Sequence, residues 1–286
     1  MTTVASPTPP AEPTPDGDAP DITLTVLDGI ATITLNRPRA GNAITAAQRE
    51  TLIGWLDQAS ADVSIRCVVL GATGRHFCTG ADLRQSGPGP DRPEGVPEPV
   101  VGDIRRRMLR GTHRLIHAVL DCEKPVIAAV GGAAAGIGAH LAFACDIVIA
   151  SHEAKFIEVF ARRGLVVDGL GTWLLPRLIG LARARELALL AEDVSARRAE
   201  QIGLITRAVP ADVLDATVAD LAAKLAAGPT RAHSASKWLL NRSLDVDRHT
   251  HAQEEAWVVE LLSGSVDATE GVASYVERRP THFLGF

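Results

Sequence analysis

KPVIAAVGGAAAGIGAHLAFACDIVIA, running from Lys124 to Ala150, is the stretch whose reading decides the fold of this chain. An apolar run, Val126 to Val130, gives way to a segment of glycine and alanine that includes Gly131, Gly132, Ala133 to Ala135, Gly136 and Gly138. A second apolar run follows, Ile147 to Ala150. The order predicts strand, glycine-rich turn, short helix and strand. A turn of that kind brings bare backbone N–H groups close to a ligand, and the helix end adds roughly half a positive charge. The guest is therefore negative, or becomes negative as it reacts.

Working outward, CVVLGA (Cys67 to Ala72) has strand length and leads into TGRHFCTGADL, where Gly80 and Ala81 can present backbone N–H groups again. Two such turns facing one point would supply a pair of donors to an oxygen that gains charge. Either turn alone is explained as well by close packing of backbone. Nearer the start, ITLTVL (22 to 27), Asp28-Gly29 and IATITL (30 to 35) predict a hairpin with a two-residue turn. Thr45 to Ala59 reads as a helix that Thr45 caps, with Ile44, Leu52, Trp55 and Leu56 near helical spacing.

Further along, Asp103 to Leu120 predicts a helix that turns Ile104, Met108, Leu115, Ile116 and Val119 to the core and leaves Arg105 to Arg107 as a solvated face. Lys155-Phe156 reads as a short strand, Arg162 to Gly171 as a loop, and 172 to 179, 181 to 191 and 195 to 203 as helices. Strands alternating with helices predict an α/β core. From Asp212 the pattern is wholly helical, at 212 to 227, 230 to 243, 249 to 263 and 267 to 278. Residues 1 to 20 hold six prolines and almost no large apolar side chain, so a disordered tail is expected there. The chain thus divides into a proline-rich tail (1–20), an α/β core (21–210) and a helical region (211–286). Between Gly87 and Pro99, five prolines and three glycines predict a long loop beside the GADL turn, either a lid or a passive surface insertion.

With 286 residues, 46% of them hydrophobic, the chain can fill one large core. Its net charge of −5 is spread among mixed signs, which argues against a nucleic-acid footprint or a polybasic membrane patch. The four cysteines show no zinc spacing and sit mostly in or beside apolar runs, as expected of a reduced cytoplasmic protein. The start lacks the regions of a signal peptide, and no run reaches the ~18 apolar residues of a membrane span.

TLNRPRAGNAI, HFCTGADL, KPVIAAVGGAAAGIGAHLAFACDI, DGLGTWLLPRLIG and EGVASYVERRPTHF, collinear along the chain, together resemble the enoyl-CoA hydratase/isomerase (crotonase) family. The resemblance implies a spiral of repeated strand-strand-helix units followed by a helical trimerisation region, in trimers or paired trimers. It also implies an acyl-CoA substrate whose thioester oxygen is held by two backbone N–H groups, at positions matching Ala81 and Ile137. Residues 81 to 84 (Ala81, Asp82, Leu83, Arg84) would line the nucleotide and pantetheine, with Tyr275 and Arg278 closing over them. As alternatives, the terminal helix is simply amphipathic and the arginines simply solvated. No metal or redox cofactor is implied, because no ligand cluster or dinucleotide fingerprint is present.

Hydratases of the family use two glutamates to position and activate water. Their positions here hold His140 and Phe160, and phenylalanine cannot titrate. Glu158 lies two residues from Phe160, on the same face of an extended strand and some ~7 Å displaced, so it would serve only where the backbone departs from a strand. Asp168, in GLVVDGLGTWLLP, matches a catalytic aspartate of the family's double-bond isomerases and aromatic-acyl dehalogenases. Among Leu165, Val166, Val167 and Leu170 its carboxyl would be partly desolvated and a better base near neutral pH. The competing reading is an aspartate that caps the following helix or bonds loop N–H groups. His140 falls three residues after Ile137 and either relays a proton or is a satisfied core histidine. Asp82 and Asp146 read as structural, bonding local backbone.

The expected activity is movement of a carbon–carbon double bond in an unsaturated acyl-CoA, with Asp168 as base, His140 assisting, and the enolate oxygen between Ala81 and Ile137. Hydration of a 2-enoyl-CoA by His140 and Asp168 is the nearest rival. A catalytically inert acyl-CoA-binding protein is the rival of another class.

Overall fold

The computed structural model describes residues 20–84, 95–96 and 100–286. The proline-rich start lies outside them apart from Pro20, and so does the 87–99 loop apart from Gly95 and Val96.

The elements run β1 (Ile22–Leu27), β2 (Ile30–Leu35), α1 (Ala46–Ala61), β3 (Cys67–Ala72), α2 (Asp103–Arg107), a π-helical turn (Met108–Thr112), α3 (His113–Leu120), β4 (Val126–Val130), β5 (Ala133–Ala135) and α4 (Ile137–Phe143). Then come β6 (Ile147–Ser151), β7 (Lys155–Ile157), α5 (Gly171–Leu190), β8 (Asp193–Ser195), α6 (Ala196–Gln201) and β9 (Arg207–Val209). The chain finishes with α7 (Leu214–Ala226), α8 (Thr230–Arg242), α9 (Arg248–Ser263) and α10 (Val266–Glu277).

A six-stranded sheet has the order β1-β2-β3-β4-β6-β9, with β1 antiparallel to β2 and every later pair parallel. The hairpin that starts it turns on Asp28 and Gly29, at φ of 50° and 76°, the paired left-handed conformation a two-residue turn requires. Its central strands β3, β4 and β6 are buried on both faces over most of their length, which is why they read as unbroken apolar runs. Val68, Leu70, Val126, Ala128 and Val148 point into the main core with α1, α3 and α4. Their neighbours Cys67, Val69, Ile127 and Ile149 form a second layer under Leu214, Val218 and Ala222 of α7. So the helical pattern beginning at 212 starts with a helix that roofs the sheet, ahead of the α8–α10 cluster.

A smaller sheet, β5-β7-β8, stands off the first. Its first strand, Ala133–Ala135, lies inside the alanine segment read as a turn, because three small residues there pair with Lys155–Ile157. Thr45 caps α1 in a reciprocal bond with Gln48. At Gly180 α5 breaks, φ 76° and ψ 158°, separating the two helices expected on either side. The expected 103–120 helix is interrupted by its π-helical turn, and Ile104 is 63% exposed rather than in the core, whereas Leu115, Ile116 and Val119 are buried as expected. That turn adds a residue to the helical repeat, so positions before it rotate off the buried face. All four cysteines are buried and unpaired. Among the described residues no helix is long and apolar enough to cross a membrane.

Candidate active site

The two glycine-rich turns are pinned to one another. Cys78 N donates to Ala133 O at 3.2 Å and Ala135 N to Cys78 O at 2.9 Å, so the loop carrying Ala81 runs beside the strand that leads into α4. The approach is close. A Cβ on Gly138 would lie 2.2 Å from Cys78 O, so only glycine allows the first turn of α4 to rest there. Close packing, one of the two readings of these glycines, is therefore present.

Ala81 pairs in parallel with Ile44 through its neighbours: Ile44 N donates to Gly80 O and Asp82 N to Ile44 O. Ile137 opens α4, where the first N–H groups have no helical acceptor. Among the described residues, neither the Ala81 nor the Ile137 N–H donates to any acceptor.

The NRPRAGNAI segment buttresses the first of these turns, a role the sequence reading missed. Arg37 Nη2 reaches Asp82 Oδ2 at 3.0 Å, and Nη1 donates to Ala43 O. Asn42 donates to Thr73 O and His76 O and accepts from Arg37 N. The signal was available in a run of polar residues bounded by apolar ones. Asp82 is buried; burial works against its charge, but the Arg84 amide and the Arg37 guanidinium hold its carboxyl below the usual range. Its carboxylate thus bonds within the loop, as the structural reading expects, while Leu83 and the Arg84 side chain are exposed. Asp146 is structural too, but its partners are distant rather than local as expected: Oδ2 accepts from Val126 N on β4 and from Lys237 Nζ on α8.

His140 is wholly buried on α4, and its partner is Glu158: Nε2 lies 3.0 Å from Oε1 and 3.1 Å from Oε2. The expectation that Glu158 would sit displaced is corrected. Strand β7 ends at Ile157, and by Phe160 the backbone is right-handed helical, φ −60° and ψ −51°. Alternation along a strand therefore does not apply from 158 to 160. Phe160 stacks on the imidazole instead, centroids 5.5 Å apart and planes 12° from parallel. The first residue of α5 also presses in; a Cβ on Gly171 would lie 2.3 Å from both Cε1 and Nε2 of His140. The Nδ1 atom of the ring is buried with no hydrogen-bond partner.

Asp168 is half-buried on the loop before α5. Helix α5 has Leu170 at its N-cap and no side-chain cap bond, so the capping reading does not hold. Among the described residues only the Asp168 backbone oxygen is engaged, by Gly171 N. Burial raises the carboxyl above its usual range, Glu158 adds to this, and His140 and His113 partly offset it. Leu170, next but one, sits at φ 60°, a conformation uncommon for a non-glycine residue and concentrated at functional sites. A free, desolvated acid near a fixed imidazole and two unused N–H donors can move a proton next to a carbonyl that becomes an oxyanion.

Matched against known sequences, the profile described as enoyl-CoA hydratase/isomerase covers residues 25–285. The chain belongs to the enoyl-CoA hydratase/isomerase family. It is 40% identical to a probable enoyl-CoA hydratase of Rhodobacter capsulatus, over 91% of this chain and 96% of that one. It is 37% identical to the 1,2-epoxyphenylacetyl-CoA isomerase of Escherichia coli, over 91% and 97%. Among solved structures, a putative enoyl-CoA hydratase from Streptomyces coelicolor A3(2) superposes with a TM-score of 0.84 at 34% identity, covering 99% of this chain and 100% of that one. The architecture is the crotonase fold.

Other family positions lie apart from this cluster. Tyr275 is 85% exposed on α10, and Arg278, just past its end, is exposed too. Among the described residues no group of three or more His, Cys, Asp or Glu side chains could hold a metal ion.

Proposed function

We propose that this enzyme shifts the double bond of an unsaturated acyl-CoA. Asp168 removes a proton from the acyl chain, and the resulting enolate oxygen is held between the N–H groups of Ala81 and Ile137. One observation carries the reading: Asp168 is a half-buried acid whose carboxylate has no partner among the described residues, beside a site where Phe160 stands in place of one hydratase glutamate. Each backbone donor of this kind contributes about 3 kcal/mol to stabilising the charged intermediate. The relatives support both chemistries, since they include proteins named as isomerases and others named as hydratases.

Ala81 to Arg84 would carry the CoA portion, with Tyr275 and Arg278 closing over it, and CoA enters as part of the thioester substrate without a further cofactor. The exposed apolar side chains of α9 and α10, Trp257, Leu261 and Tyr275 among them, suit burial in a homotrimer or a pair of trimers. The working place is the cytoplasm.

The test gives pure enzyme 3-enoyl-CoA and 2-enoyl-CoA separately. Conjugated product from the former is expected. Hydroxyacyl product from the latter, without isomerisation, would replace this reading with hydration, and tight binding without turnover of either would leave an inert acyl-CoA binder.

A further inference from the structure

The surroundings of His140 leave its ring one nitrogen to use. Phe160 stacks on the ring, the Gly171 backbone closes against its Cε1 and Nε2 atoms, and both carboxylate oxygens of Glu158 meet Nε2. Ring and carboxylate are both buried, at 0% and 3% exposure. A buried carboxylate accepts, so Nε2 carries the hydrogen and cannot give it up without leaving Glu158 facing a lone pair. The unpartnered Nδ1 lies on the Gly169 side, where a Cβ on that glycine would stand 3.2 Å from it, one residue from Asp168. The titratable groups acting on the Asp168 end of the site are Glu158, His140 and His113.

We propose that Glu158 is a positioning residue that fixes His140 with Nε2–H as the buried donor and Nδ1 as the working nitrogen, so that His140 and Asp168 act as a two-residue proton relay. This rests on the isomerase reading for its substrate and extends it to a residue outside the family's glutamate positions. The cycle balances without another reactant. The Asp168 carboxylate takes the α-proton, and the C–H electron pair passes to the thioester oxygen. The imidazolium Nδ1–H then gives its proton to the γ-carbon as the dienolate pair returns to carbon. Asp168 is left as the acid and His140 neutral; transfer of the proton from Asp168 to Nδ1 restores the start. Glu158 stabilises the imidazolium and sets the tautomer, as a buried carboxylate does for a catalytic histidine elsewhere.

The test combines ¹⁵N NMR of histidine-labelled enzyme, with His140 assigned by its loss in His140→Gln, and steady-state kinetics. In the wild type the His140 signals are expected to show the hydrogen on Nε2, with Nδ1 as the nitrogen that is free to exchange its proton. In Glu158→Gln the His140 signals shift and kcat falls roughly 100-fold with KM within about twofold, the mark of an interaction used in the transition state. Glu158→Asp, which keeps the charge, recovers part of the loss. A wild-type spectrum with Nδ1 protonated and Nε2 bare overturns the proposal, whatever the Glu158 variants do. A Glu158→Gln enzyme with kcat unchanged overturns it too. Hydration of 2-enoyl-CoA by the wild type would sink the isomerase reading alone, because the tautomer is read whatever product forms, and kcat would then be read on hydration.

Discussion

Two ion pairs of this molecule, Lys237–Asp146 and His140–Glu158, are finished differently. Where α8 meets the core, Lys237 Nζ donates to Val119 O, Lys124 O and Asp146 Oδ2, and Asp146 also accepts from Val126 N. All three ammonium hydrogens have acceptors. At the other pair, Glu158 takes one nitrogen of His140 while Nδ1, equally buried, has no partner, and Asp168 nearby has none for its carboxylate among the described residues. Burial raises Asp146 and Asp168 alike, so desolvation by itself does not separate a structural acid from a reactive one. The difference lies in unfinished hydrogen bonding. A complete network fixes a seam between elements, whereas an incomplete one is held ready for atoms the protein does not contain.

Four experiments would break or sharpen that contrast. Asp168→Asn should have the largest effect, lowering 3-enoyl-CoA isomerisation roughly 10³-fold with little change in KM, as expected for loss of a catalytic base. A variant retaining a tenth of wild-type kcat would remove Asp168 from the chemistry. Lys237→Met should do the reverse. It takes the cation from Asp146, whose side chain is a quarter exposed, and the donor from the Val119 and Lys124 carbonyls, costing about 2 kcal/mol in denaturant unfolding with kcat preserved, and a loss of kcat at unchanged stability would contradict the structural role. Gly171→Ala places a methyl where the imidazole now sits, so displacement of His140 should lower kcat about tenfold in kinetic assays.

The smallest effect concerns pH and stability. The folded-state pKa of Asp168 is raised, so its stabilising contribution is present below the unfolded value and is lost as pH rises through the folded one. Asp168→Asn should therefore melt slightly higher than wild type at pH 7, and this gain should vanish below pH ~3.5, where the acid is neutral in both states. Isomerase activity should fall as pH drops through that same raised value. Thermal unfolding at the two pH values checks the sign, and equal melting shifts at both would show that the carboxyl is not desolvated.

Much of this was legible in the residues. The DG hairpin, the Thr45 cap and the strand runs at 67–72 and 126–130 follow local rules, and each element forms where those rules put it. So do the limits of α8 and α9, within a residue or two. Where the reading failed, a neighbour intervened. Ile104 is exposed because a π-helical turn resets the helical phase before α3. Ala133–Ala135 became a strand because Lys155–Ile157 lies alongside. Arg37 and Asn42 gained their work only when the 73–82 loop folded back onto them.

Element order along the chain came from glycine spacing and apolar period, and the candidates Ala81, Ile137, His140 and Asp168 came from the resemblance of collinear motifs to the family, all of which lie in runs of neighbouring residues. Which carboxylate meets the histidine could not be read that way. Glu158 and His140 are separated by eighteen positions, and their meeting depends on a strand ending at Ile157, on Phe160 turning under the ring, and on a glycine backbone closing from α5. Three separate elements converge on one imidazole, and only three-dimensional packing sets that distance.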